Sequence, residues 1–235
     1  MKYELFYWPE IQGRGEFVRL VLEDADCDYV DVAREPGGEA RLEAVLGGEH
    51  DGIVPFAPPV LYAGTLVIAQ TVAITRFLGE RHGLAPSDEA GKLGALTLAL
   101  TIADLVAEAH DTRHPTAVDQ TYEHQKAAAR ERASAFRRAR IPKFLGHLER
   151  NLERNGDVLV GRDVSYVDLA AFQVVEGLSY AFPRAMARVH KDVPKLMALR
   201  DRVAQRPRLL RYLTSPRRLP FNEQGIFRHY AELDG

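Results

Sequence analysis

Chemistry, if this chain performs any, has to come from a few short stretches. Gln70-Thr71 stands where an apolar-periodic segment begins to read as a helix. Free amides and the positive end of the helix dipole at such a start accept an anion such as a carboxylate, although by itself the pair is only an N-cap. His110 and His114 are four residues apart, a spacing that can hold a metal. No Cys or carboxylate ligand set accompanies them, so no metal is expected and a polar patch or plain solvent exposure is the reading. Tyr7-Trp8-Pro9, followed by Gly13-Arg14-Gly15, puts a phenol and an indole at the end of an apolar strand, and a strand tyrosine beside Phe6 is on its own a core residue. Cys27 is the single cysteine. It has nothing in its own chain to pair with, which argues for a reducing compartment, and it reads as an inert small hydrophobe.

The elements that would hold these residues change character once along the chain. Tyr3 to Tyr7 reads as a buried strand, Phe17 to about Asp26 as a helix, and Tyr29 to Val32 as a second strand. Glu39 to Leu46 is a short helix closed by Gly47-Gly48, Pro59 to Tyr62 and Leu66 to Ile68 are strands around Ala63-Gly64, and Gln70 to His82 is a helix with Gly83 at its C′ position. The order βαβαββα predicts an α/β unit with a mixed four-stranded sheet. After Pro86-Ser87 only helices fit: 88–111, a long one over 120–154 bent at Pro142, one opened by the capping box Ser165-x-x-Asp168, then 191–205 and 207–214. The rest reads as a non-helical tail with Phe221, Ile226, Phe227 and Tyr230 free to pack. The expected division is an α/β domain at 1–84, an all-helical domain at 88–216 and a tail at 217–235.

At 235 residues with 46 % hydrophobic, 27 % charged and 9 % aromatic residues, the chain has the profile of an ordinary globular protein. Disorder, collagen and coiled-coil arrays are excluded. No apolar run approaches the ~20 residues of a membrane span, and the opening MKYELFYWPE has no secretory core. Cytoplasmic location and no membrane partner are expected. The net charge is −2, but residues 1–85 hold 7 basic against 14 acidic side chains and the remainder 24 against 19, which supports two parts of different character. RERASAFRRAR at 130–140 interleaves Arg with Glu, Ala and Phe at helical spacing, a solvated helix face and not a nucleic-acid stripe.

A thioredoxin-like unit followed by helices resembles the cytosolic glutathione transferases, and motifs support the order. Tyr7-Trp8-Pro9 ends the first strand before Gly13-Arg14-Gly15, where the alpha, mu, pi and sigma classes have their catalytic tyrosine. Pro59, eleven residues before Gln70, is at the family's cis-proline, Gln70-Thr71 stands for its Gln-Ser, and Val160-Gly161 with Ser165-x-x-Asp168 looks like its capping box. The match extends to about residue 216.

The resemblance implies a glutathione S-transferase of the tyrosine type, similar to the mu, pi and sigma classes, with glutathione as co-substrate, no metal, a role in detoxification and a homodimeric assembly. Tyr7 becomes the catalytic residue. The thiolate is the nucleophile, and a phenol O–H donated to it contributes about 1.5–3 kcal/mol, enough to lower the thiol pKa by ~1–2 units. The glutathione-binding set is Trp8, Arg14, Arg41, Pro58, Pro59, Gln70, Thr71 and Asp104. Gln70-Thr71 would hold the γ-glutamyl carboxylate, Asp104 would reach the partner subunit's γ-glutamyl amine, and Trp8 the glycyl carboxylate. Arg14 would brace the first helix and the catalytic loop. Two features depart from the family. No Lys lies between Lys2 and Lys92, leaving Arg34 or Arg41 to replace the usual lysine at the glycyl carboxylate. Pro58 stands where a backbone N–H should meet the cysteinyl part of glutathione, so either that bond is lost or Pro58 is itself the cis residue and Ala57 supplies both groups. The second-substrate pocket is expected to be apolar, walled by Ile11, the helix end at His110, Asp111, Arg113 and His114, and the aromatic tail with Phe227. The alternatives are a glutathione-dependent isomerase or reductase on the same fold and a non-catalytic ligand-binding member.

Overall fold

The computed structural model describes residues 2–235. Strands β1 (Tyr3–Phe6), β2 (Tyr29–Asp31), β3 (Val60–Ala63) and β4 (Leu66–Ala69) form one sheet in the order β2-β1-β3-β4. β1 runs parallel to β2 and antiparallel to β3, which pairs antiparallel with β4. Helices α1 (Gly15–Asp24), α2 (Gly38–Leu46) and α3 (Thr71–Arg81) complete the βαβαββα unit.

The sheet is apolar on both faces because its central strands alternate with period 2. Tyr3 and Leu5 of β1 and Leu61 and Ala63 of β3 join the core that holds α1 and α3. Phe6 and Val60 point the other way and close a smaller core with Val32, Leu42, Val45 and Ala69 under α2. The registers pair Leu5 with Leu61 and Phe6 with Val60, so each same-face pair sits side by side.

Beyond α3 every remaining element is helical: α4 (Glu89–Asp111), α5 (Lys126–Ala135), α6 (Ile141–Asn155), α7 (Tyr166–Ala181), α8 (Pro183–Val189), α9 (Pro194–Ala204), α10 (Pro207–Leu213) and α11 (Ala231–Asp234). α7 is the axis of this part, buried along nearly its whole length and packed against α1, α4 and α9. Asp168, fully buried, accepts from the Ser165 N–H and hydroxyl and from the Leu159 N–H, all at 2.8 Å. The capping box therefore also fastens the 156–165 loop to the helix start.

Four expectations are corrected. The single bent helix over 120–154 is a 3₁₀ turn at Tyr122–Gln125, α5, a five-residue π-helical turn at Phe136–Arg140 and α6. Pro142 has no amide to give back to the preceding turn, and the helix widens just before it. The region read as 191–205 starts at Pro194, and α8 before it has a proline in its first turn, where a missing N–H costs nothing. The tail is not wholly irregular, because its last residues form α11, from which Asp234 accepts the Arg184 and Ala185 amides at the start of α8. α4 also has the length and composition to cross a bilayer, with a mean hydropathy of 1.5 over 18 residues, where no such run was expected. Here its Ala95, Ala99, Ile102, Leu105 and Val106 pack inward against α6 and α7.

Candidate functional site

The two antiparallel registers carry three distant segments to one end of the sheet. Phe6 faces Val60 and Val60 faces Ala69, so the next residues outward, Tyr7, Pro59 and Gln70, emerge together. The cis peptide bond lies between Pro58 and Pro59, so Pro59 is the cis residue and Pro58, which has no N–H, precedes it.

Tyr7 is only 4 % exposed. Its hydroxyl accepts the Arg14 N–H at 2.7 Å, and among the described residues nothing accepts the hydroxyl's own proton. Gly13 and Gly15 make this possible. A Cβ on Gly13, which has φ +46°, would fall 2.0 Å from the Tyr7 oxygen, and one on Gly15 would fall 2.5 Å from the ring. The loop thus wraps the phenol, and the Arg19 guanidinium stacks at 5.8 Å from the ring centroid. Burial raises the phenol pKa above its usual value, against the opposing pull of the Arg14 N–H and of Arg14 and Arg19. The group is a neutral hydrogen-bond donor at neutral pH, as activation of a thiolate requires.

At the neighbouring strand end Gln70 holds φ +72° and ψ +123°. A non-glycine residue in that region is held there by its surroundings, and such residues cluster at binding sites. Its side chain is exposed, and the Thr71 hydroxyl that opens α3 is buried without a hydrogen-bond partner among the described residues. Arg14, Gln70 and Thr71 line one groove of about 650 Å³ between α3 and α4, walled further along by Phe77, Leu96 and Leu100. An anion at the α3 start would meet free amides, the helix dipole and this hydroxyl.

The other predicted residues divide. Trp8 is 45 % exposed directly after Tyr7. Arg41 is taken by Glu4 at 2.7 Å and stacks on Phe6, and Arg34 pairs with Asp31 at 3.6 Å and donates to the Arg217 carbonyl. Neither cation is unengaged. Asp104 is exposed on α4. Ile11, His110 and His114 do come together around the tail. A Cβ on Gly225 would lie 4.0 Å from Ile11, the two imidazoles stack at 5.4 Å, and Asn222 donates to the Glu10 carbonyl. Phe227 does not join them. At 3 % exposure it packs on Gly177 of α7 and edge-on to Phe221, so it offers no wall to a ligand: the glycine leaves a ring-sized gap in α7, and the tail fills it.

Sequence reasoning missed Gln12 and Arg228. Gln12 accepts from Gln173 at 2.8 Å and donates to the Leu219 carbonyl, which ties the loop after β1 to α7 and to the tail. Arg228 donates to the Gly225 carbonyl at 2.7 Å and approaches His114 at 3.5 Å. The Gln12 contacts and the Arg228–His114 approach span more than a hundred residues, and no local pattern announces them.

The glutathione S-transferase C-terminal domain profile matches residues 110–216. A glutathione S-transferase of Plasmodium falciparum is 22 % identical over 219 residues, covering 90 % of this chain and 95 % of its own. Among solved structures, a prostaglandin synthase D of Nilaparvata lugens superposes with a TM-score of 0.73 at 20 % identity, covering 94 % of this chain and all of its own. A pi-class glutathione S-transferase of Onchocerca volvulus superposes with a TM-score of 0.72 at 23 % identity, covering 96 % and 99 %. At that identity the structural likeness establishes the fold, a thioredoxin-like unit followed by an all-helical part. With the domain match over the helical part and the near full-length relative, it makes the chain similar to cytosolic glutathione S-transferases along nearly its whole length.

Proposed function

We propose that this protein is a glutathione S-transferase that activates the glutathione thiol with Tyr7 for attack on electrophilic, largely apolar compounds, in the manner of the mu, pi and sigma classes. One observation carries the reading: the Tyr7 hydroxyl accepts the Arg14 N–H and keeps its own proton free. A hydroxyl so polarised donates to a sulfur anion. The γ-glutamyl carboxylate is assigned to the amides of Gln70-Thr71 at the start of α3, next to Arg14, and Trp8 is the remaining candidate for the glycyl end, since Arg34 and Arg41 have other partners. Pro58 offers only its carbonyl to the cysteinyl group, at a cost of about 0.5–1.5 kcal/mol for the missing bond.

The same reading takes residues 1–84 as the glutathione-binding domain and 88–216 as the helical one, with detoxification in the cytoplasm as the setting. It makes the protein a homodimer. Phe56 is 95 % exposed in a loop that also presents Ile53 and Val54, while Leu93 and Leu100 of α4 are exposed beside the α3–α4 groove. Two copies could bury each other's loop and groove, and Asp104 on the same helix would then face the partner.

Tyr7→Phe tests the mechanism. The ring and its packing persist while the donor is lost, and conjugation of glutathione to 1-chloro-2,4-dinitrobenzene should fall at least roughly tenfold in kcat/KM, the scale of one bond to a charged group. An unchanged rate in a folded variant removes Tyr7 from the mechanism.

A further inference from the structure

The C-terminal end of α4 and the tail bury positive charge without a counter-ion. Arg113 is 1 % exposed, and among the described residues two of its guanidinium nitrogens, Nε and Nη1, have no hydrogen-bond partner. The third reaches only the Gly225 carbonyl, at a long 3.5 Å. A buried guanidinium is normally paired, because desolvating it unpaired is costly. Around it stand His110 and His114 from the same helix end, Arg228 from the tail at 3.5 Å from His114, and Arg14 at the start of α1, whose charge is felt at His110. Among the described residues the one carboxylate in ion-pair range of the group is Asp111, 3.9 Å from His110 and half in solvent. Burial and the crowding of like charges hold His110 down to about 4 and Arg113 down to about 9, with His114 lowered as well.

These groups converge where Gly225 meets Ile11, a residue expected to wall the second-substrate pocket. We infer that this wall of the site is an oxyanion pocket, and that the electrophile it accepts carries a carboxylate or a similar acidic group in addition to its reactive carbon. The assignment rests on the transferase reading above and sharpens it. His110 and Arg228 meet the ligand at the surface, each with N–H to donate; His114, whose Nδ1 faces the Gln120 carbonyl at 3.1 Å and whose Nε2 faces Arg228, holds the guanidinium in place, and Arg113 behind them supplies uncompensated charge that an anion neutralises. The apolar body of the substrate would lie along Ile11.

Binding and turnover test this separately. With glutathione present, the affinities of 3,5-dinitrobenzoate and its methyl ester, neither of which has a leaving group, are compared by calorimetry on the full chain. The acid should bind roughly tenfold more tightly or better, an advantage that Arg228→Gln removes and Arg228→Lys keeps, as expected for one charge-assisted contact. Equal affinity of acid and ester overturns the pocket, and so does inorganic phosphate competing as well as the acid, since the site would then hold a free anion and not a substrate's handle. In the turnover arm 4-chloro-3,5-dinitrobenzoate and its ester are compared. The glutathione sulfur forms the C–S bond and chloride leaves, and the acid-to-ester ratio of kcat/KM, corrected for the uncatalysed rates, should favour the acid in the wild type and drop about tenfold in Arg228→Gln. Preferential binding of the acid without conjugation of either compound leaves the pocket standing and sinks the transferase mechanism; conjugation of both without preference does the reverse.

Discussion

In the proposed mechanism a phenol becomes a thiolate donor through three neighbours, the Arg14 amide and two glycines that leave room for its ring. Gly13 and Gly15 were visible in the sequence as a spacing, but the reason for them was not, since it lies in the distance from a would-be Cβ to Tyr7. At the same scale the histidines give a pH signature. His110 is held down to about 4, chiefly by burial and then by Arg113 and its other cationic neighbours, against about 6.5 unfolded. The unfolded chain therefore binds the extra proton between those values, and stability contributed by keeping the imidazole neutral is intact above about 6.5 and lost as pH falls toward about 4. In urea melts at pH 7 and pH 5, His110→Asn should lose less stability on acidification than the wild type; parallel losses would show that His110 is not the titrating group.

Among the elements, those whose signal is local were legible: the βαβαββα order, the start of α4 at Asp88, the Gly83 stop and the Ser165-Asp168 box all follow from periodicity and caps. What failed was local structure decided by backbone accounting or by a partner far along the chain. Pro142 forces a π-helical turn where a bend was expected, and α11 exists because Asp234 has the open amides of α8 to accept. The capping box is also where an element meets global stability. Ser165→Ala removes one donor from Asp168 and should cost about 1–2 kcal/mol. Asp168→Ala strands the Ser165 and Leu159 amides in a dry interior and should cost about 3 kcal/mol or more. Denaturant titration at constant m-value checks the order, and equal effects would mean that the carboxylate's bonds to the loop contribute nothing.

Across the whole molecule, the helical part and the tail are fastened to α1 by polar contacts that span nearly two hundred residues. Arg206 grips Asp24 with two bonds of 2.8 Å, and Tyr212 donates to the buried Glu16, near which Arg218 also stands. No sequence pattern marks these pairs, nor the insertion of Phe227 against Gly177, which is why the tail looked free and its phenylalanine was read as a pocket wall. The exposed Phe56 loop makes a prediction at this scale: sedimentation should find a dimer that Phe56→Ser shifts toward monomer, whereas an unshifted dimer would move the interface elsewhere. Everything these contacts position serves one proposed event, ionisation of a bound thiol beside Tyr7. The most direct test is the ultraviolet thiolate absorbance of protein-bound glutathione titrated against pH in the wild type and in Tyr7→Phe. A bound-thiol pKa about 1–2 units below that of free glutathione, returning toward the free value in the variant, is the expected result. A bound thiol that titrates like free glutathione, or one whose lowered pKa survives the loss of the hydroxyl, would contradict it.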